Sequence, residues 1–124
     1  MSCDPQRIVI HRGFELRQEF YFESNGVPED TTQAEAWQWI IFHPVSLREF
    51  VVVEGEASYV APDPENDVAG YGKVTFPVPA NATEGQTWKV GQFKIARYGS
   101  DGSREIRMEG RLRHSLTPPV EVPS

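Results

Sequence analysis

The sequence predicts an all-β fold, an antiparallel β-sandwich of about seven strands. Three observations carry that reading. Apolar and polar residues alternate with period two, which gathers apolar side chains on one face of a strand but scatters them around a helix. Ten glycines and ten prolines in 124 residues punctuate the chain too often for long helices. Near the C-terminal end, Asp101-Gly102 sits between two alternating runs, the pattern of a β-hairpin. A chain of 124 residues suffices for one core and is too short for two. The expected organisation is a leader at 1–6, one domain at 7–116 and a Pro-rich arm at 117–124.

The first strand is Arg7-Ile8-Val9-Ile10-His11. After Gly13, the even positions Phe14, Leu16, Phe20 and Phe22 fall on one face, and Glu15, Arg17 and Glu19 on the other. Ser24-Asn25-Gly26 is a turn, because Asn and Gly accept positive φ at little cost. Residues Ala36 to Phe42 are aromatic and β-branched and stop at His43-Pro44, which predicts a central strand buried on both faces. Glu49 to Glu54 and Glu56 to Val60 form an apolar pair of strands interrupted at Gly55. Ala61 to Ala69 is a loop, Tyr71 to Val78 a strand, and Pro79 to Gly85 has room for one helical turn. The closing hairpin runs Trp88 to Tyr98, turns at Gly99 to Gly102, and returns from Arg104 to Ser115. On the return strand Ile106, Met108, Gly110 and Leu112 alternate with Arg107, Glu109, Arg111 and Arg113. Thr117-Pro118-Pro119 and the residues after it cannot pair normally and are expected to form an extended arm.

Composition narrows the function. Twelve Lys and Arg against 18 Asp and Glu give a net charge of −6, which argues against a duplex nucleic-acid binder. A single cysteine, Cys3, excludes an internal disulfide and a Cys-based zinc site, and fits folding in a reducing compartment. Met1-Ser2-Cys3-Asp4-Pro5 lacks the basic-then-apolar pattern of a secretory signal, and no apolar run approaches the ~20 residues of a membrane span. The expectation is a soluble product made in the cytoplasm, without a membrane partner.

Motifs for catalysis fail one by one. His11, His43 and His114 lie far apart, without metal-ligand spacing. Asp63-Pro64-Glu65-Asn66-Asp67 superficially resembles a calcium loop but lacks its sixth-position glycine and distal glutamate, so it is read as a solvated acidic loop. There is no Gly-x-Ser-x-Gly, and Gly70-Tyr71-Gly72-Lys73 leads into a strand rather than a phosphate-binding helix. Asn81-Ala82-Thr83 matches a glycosylation sequon in a chain without a secretion signal. No catalytic residue, cofactor or metal is expected, and the chain is read as a non-enzyme.

Charge distribution says more. Between Gln86 and Leu116 seven basic residues face three acidic ones, a local charge of +4, while the remainder of the chain carries −10. One reading is a solvated strand face; a second is a basic hairpin that docks on an acidic surface, including that of another copy. A third, minor one is nucleic-acid contact, with Arg beside Tyr98 and Trp88 meeting a backbone and stacking on bases. The candidate protein-interaction residues are Arg97, Arg104, Arg107, Arg111 and Arg113, with Pro118 and Pro119 in the arm.

The order of features resembles a family of small immunoglobulin-like modules of tailed bacteriophages and prophages, including the N-terminal domains of upper baseplate proteins. The matching segments are Ile8-Val9-Ile10-His11-Arg12-Gly13-Phe14-Glu15-Leu16, then Gly26 to Thr32 and Trp37-Gln38-Trp39-Ile40. Ala80 to Thr83, Gly91-Gln92-Phe93-Lys94-Ile95, Asp101-Gly102 and Met108 to Leu112 complete them, covering most of residues 7 to 116. Two positions depart from the family pattern: Phe14 stands where an Asp often follows Arg-Gly, and Asp30-Thr31-Thr32 replaces an Asp-Leu-Thr sequence. The resemblance implies an immunoglobulin-like sandwich and a non-enzymatic virion role as a tail, baseplate or fibre-attachment adaptor. Its partners would be other virion subunits and further copies of itself, and it would be made in the host bacterial cytoplasm. A capsid decoration protein is the alternative within that class. A carbohydrate- or receptor-binding module using Trp37, Trp39, Trp88 and Tyr71 is the alternative outside it, set against the reading that these tryptophans pack the core.

Overall fold

A computed structural model describes residues 8–117. Among the described residues the chain forms ten strands: β1 (Ile8–His11), β2 (Leu16–Tyr21), β3 (Glu23–Ser24), β4 (Val27–Pro28), β5 (Ala36–Phe42), β6 (Glu49–Glu54), β7 (Glu56–Val60), β8 (Tyr71–Val78), β9 (Val90–Tyr98) and β10 (Arg104–Ser115). Three 3-10 turns, Thr31–Gln33, Pro64–Asn66 and Ala80–Ala82, complete the regular structure there. The protein is all-β. No helix among the described residues is long and apolar enough to cross a membrane. The leader 1–6, Arg7 of the expected first strand, and Pro118 and Pro119 with the rest of the arm lie outside the described residues.

Five strands form one sheet in the order β1-β10-β9-β5-β6, and three form another in the order β2-β8-β7. The small strands β3 and β4 close a separate hairpin around Asn25-Gly26, whose φ angles of 54° and 79° are what that turn requires. All pairings are antiparallel except one. β1 runs parallel to β10, so the larger sheet is mixed rather than purely antiparallel as expected.

The two sheets share both flanks through the chain itself. On one side β1 belongs to the five-stranded sheet and β2, a short turn later, to the three-stranded one. On the other, β6 and β7 sit in different sheets with only Gly55 between them. A Cβ at Gly55 would lie 2.5 Å from Val74 Cγ1 and 2.7 Å from a Phe76 ring carbon, so only glycine fits this corner.

Side chains of both sheets meet in one core. Trp39, Ile41, Val53, Phe93, Ile95 and Leu112 come from the larger sheet, and Phe20, Val74, Phe76 and Val78 from the smaller. At its centre Trp39 meets Phe20, Phe93 and Phe76 with ring centroids 5.6, 5.8 and 5.9 Å apart, aromatic contacts that add to area burial. Trp37 packs tilted against Phe22, ring centroids 4.8 Å apart, and donates its indole N–H to the Thr31 carbonyl at 2.9 Å. Thr31 in turn lies 3.0 Å from the carbonyls of both Ser58 and Lys73, which fastens the Thr31–Gln33 turn across β7 and β8.

Three expectations need correction. Phe14 was expected on the core face, but the chain is still turning at Gly13 and leaves that ring 44% exposed. β5 is interior but not central; β9 holds the middle of the sheet. Its outer face is covered only at Ile40, with Gln38 and Phe42 half-buried. Finally, the alternation on β10 slips. Ile106 faces Ala96 while Met108 faces Ile95, a bulge that leaves Ile106 exposed and turns Arg107 inward.

Candidate functional site

The basic hairpin is β9 and β10, and register decides which of its charges face out. Outside the bulge, Arg111 pairs across from Gln92 and Arg113 from Val90, on the face opposite Leu112 and Phe93. Arg104 lies opposite Tyr98, its guanidinium 5.9 Å from the ring centroid. All three arginines are exposed, and among the described residues none has an ion pair. Glu109 shares this face, as does the half-buried Lys94 opposite it. Apolar side chains interrupt the charge: Ile106 is 40% exposed and Val90 52%.

The other two predicted arginines are committed inside the molecule. Arg107, aimed inward by the bulge, donates from Nη1 to Glu29 Oε2 at 2.6 Å and from Nη2 to Glu29 Oε1 at 2.5 Å. Arg97 Nε lies 3.7 Å from Glu29 Oε2, and Arg107 Nε lies 3.2 Å from Glu105. The Arg107 guanidinium also sits 5.7 Å from the centroid of the buried Phe22. The carboxylate of Glu29 raises the Arg107 pKa above its ordinary value and so reinforces the charged form. The structure thus separates the five arginines into an exposed set, Arg104, Arg111 and Arg113, and an internal clamp, Arg97 and Arg107. Glu29, which holds that clamp, carries no signal in the sequence, because its pairing with Arg97 and Arg107 joins residues far apart along the chain.

A second feature lies where β5, β6 and β9 come together at one end. A groove of about 600 Å³ is lined by His43, Arg48, Phe50, Gln86, Trp88 and Val90, among others. Its rings form a row. Phe50 meets His43 edge-on at 5.9 Å and stacks on Trp88 at 4.8 Å, and Trp88 stacks on His114 at 4.2 Å. Beside it, the β5–β6 loop presents Val45 and Leu47, 85% and 64% exposed, with Leu47 at φ 62°. That loop is ordered by His43, whose Nδ1 accepts from the backbone N–H groups of Val45 and Ser46 at 3.1 and 3.0 Å.

Of the other two histidines, His11 stands apart and His114 ends the ring row. His11 Nδ1 is 3.1 Å from the Thr117 carbonyl. His114, 3% exposed, places Nδ1 2.7 Å from the Trp88 carbonyl, so Nδ1 carries the proton and donates it. Its Nε2 has no partner among the described residues. Burial lowers its pKa, the Trp88 carbonyl opposes that shift, and Arg12 adds to it. In the acidic loop, Asp63 turns its carboxylate on its own backbone, accepting from Glu65 N at 3.2 Å and from Asn66 Nδ2 at 2.6 Å. Those bonds, led by Asn66, lower its pKa.

By fold, then, this is an all-β protein whose distinguishing surface is a basic strand face bordered by an aromatic groove. No protein-family model matches the chain, and no curated protein matches it closely enough to show a relationship.

Proposed function

We propose that this chain is a non-enzymatic assembly protein of a tailed-bacteriophage particle, an immunoglobulin-like β-sandwich acting as a tail, baseplate or fibre-attachment adaptor. What supports the fold reading is strand order. Immunoglobulin domains place their second, fourth and fifth strands in one sheet and their third, sixth and seventh in the other. Here β2, β7 and β8 share one sheet, while β5, β9 and β10 share the other with β6 and β1 at its edges. Trp39 on β5 packs between Phe20 on β2 and Phe93 on β9, the strands that carry the inter-sheet disulfide in antibody domains.

The observation that carries the docking reading is the outward face of β10. Arg104, Arg111 and Arg113 stand exposed there beside exposed Ile106 and Val90, a mix of charge and apolar area suited to an interface. The sequence resemblance supplies the virion setting. Of the four residues of the sugar-binding alternative, Trp37 and Trp39 are buried and Trp88 is stacked on the protein's own rings. Tyr71 alone among them keeps an exposed ring.

Electron microscopy of purified particles, with an antibody against this chain, tests the setting. The adaptor reading expects label at the tail or its base. Label over the head would replace it with the capsid decoration reading. Particles that carry no label and yield no peptide of this chain by mass spectrometry would overturn the virion role.

A further inference from the structure

The larger sheet is electrically lopsided along its strand order. At one flank lies β10, next to the edge strand β1, where Arg104, Arg111 and Arg113 are exposed against Glu109 and Glu105, the latter paired with Arg107. At the opposite flank lies the edge strand β6, with Glu49 and Glu54 exposed, and beyond Gly55 the exposed Glu56 that begins β7; a cation, Arg48, is exposed just before Glu49. Glu54 accepts one hydrogen bond from Gln38, and Glu56 touches Arg17 at 3.4 Å with both side chains about two-thirds in water, so neither carboxylate is neutralised within the molecule. Each flank also exposes an apolar residue on the outer face, Ile106 on β10 and Val52 on β6. Among the described residues, neither β1 nor β6 has a strand on its outer side.

We infer that copies of this chain associate head-to-tail, the acidic β6 flank of one set against the basic β10 flank of the next. The inference rests on the reading of the β10 face as a docking surface and names its partner, a second copy. A two-fold that joins the same edge of both sheets would bring arginine to arginine or glutamate to glutamate, and like charges across an interface repel. The two flanks lie on opposite sides of one sheet, so each added copy offers a fresh acidic flank. Such a heterologous contact grows into a ring where the rotation closes and a filament where it does not. The open edges of β1 and β6 allow the sheet to be continued across the junction.

Sedimentation velocity of the full chain tests this, using two double variants whose changes lie on exposed positions. Glu49→Lys with Glu54→Lys spoils the acidic flank; Arg111→Glu with Arg113→Glu spoils the basic one. Wild type is expected to self-associate with rising concentration, roughly tenfold more weakly at about 0.5 M salt than at about 0.05 M. Each variant alone is expected to be monomeric with an unchanged melting temperature. Mixed, they present opposite charges at both kinds of junction, the intact and the swapped, and should associate again as alternating copies. Wild type that stays monomeric up to about 1 mM, or a mixture that does not pair, overturns the inference. Should the basic-flank variant at the same time fail to enter particles, the docking surface stands and its partner is a different virion protein.

Discussion

Arg107 and Glu29, 78 residues apart in sequence, form a two-pronged ion pair that ties the segment after β4 to the bulge in β10. The pair is only partly wet, with side-chain exposures of 21% and 18%. Charge-assisted hydrogen bonds in such a setting contribute more than surface ion pairs do. Removing Glu29 also leaves Arg97 and Arg107 facing each other with only the exposed Glu105 carboxylate beside Arg107. Glu29→Gln is expected to lower stability by about 2 kcal/mol in urea unfolding. A loss under about 0.5 kcal/mol would mean the clamp is ornamental.

Gly72 makes the same region intolerant of any side chain. A Cβ there would lie 1.8 Å from the Glu29 carbonyl oxygen, and backbone cannot swing away as a flexible side chain would. Gly72→Ala is therefore expected to destabilise by about 3 kcal/mol or more. Gly85→Ala serves as the comparison. It meets nothing within 4 Å and carries only the strain of φ 82°, so it should lose about 1 kcal/mol.

Two buried tryptophans, two positions apart, should respond differently to the same change. Trp37 makes its indole hydrogen bond to Thr31, whereas the Trp39 N–H is buried without a partner among the described residues. Phenylalanine at position 37 forfeits a made bond and leaves a carbonyl unpaired; at position 39 it removes an unpaired donor. The cavity term is similar at both sites, about 1–2 kcal/mol. Trp37→Phe is accordingly expected to lose at least ~1 kcal/mol more than Trp39→Phe in parallel denaturation curves. Equal losses would contradict this.

His114 makes stability depend on pH. Its pKa is lowered in the folded protein, chiefly by burial, so the unfolded chain takes up the proton first. The neutral ring's contribution is thus fully present above the ordinary value of 6.5 and is lost as pH falls through the lowered folded value. Wild type should hold its melting temperature down to about pH 7 and then decline toward about pH 5. His114→Phe keeps a ring against Trp88 but removes the titration. It should start about 1 kcal/mol less stable, for the lost bond to the Trp88 carbonyl, and decline less steeply. Parallel pH curves would show that other groups set the dependence.

Much of the fold was legible because period and turn chemistry agree. Ala36–Phe42, Glu49–Glu54, Glu56–Val60, Tyr71–Val78 and Arg104–Ser115 begin and end where alternation and breakers place them. The helical turn expected within 79–85 is the 3-10 turn at Ala80–Ala82. Trp88 and Lys89 precede β9 instead of opening it; Trp88 is occupied by its stacking on Phe50 and His114. What period two cannot reveal is a change of phase. The bulge between Ile106 and Met108 reverses the facing of Ile106 and Arg107, and so turned an expected surface arginine into the clamp on Glu29. Sheet membership was equally hidden. That β1 runs parallel to β10, and that Gly55 carries the chain between sheets, depend on contacts between residues distant in sequence.

The central claim is that the outward face of β10 docks on neighbouring virion subunits. The direct measurement is incorporation, comparing particles grown with wild type and with Arg104→Glu, Arg111→Glu and Arg113→Glu combined. Arg107 is left intact in that variant because it holds Glu29. The expected result is a soluble variant with a wild-type melting temperature that is depleted at least ~10-fold from purified particles, by quantitative mass spectrometry. A folded variant incorporated at the wild-type level would contradict the claim.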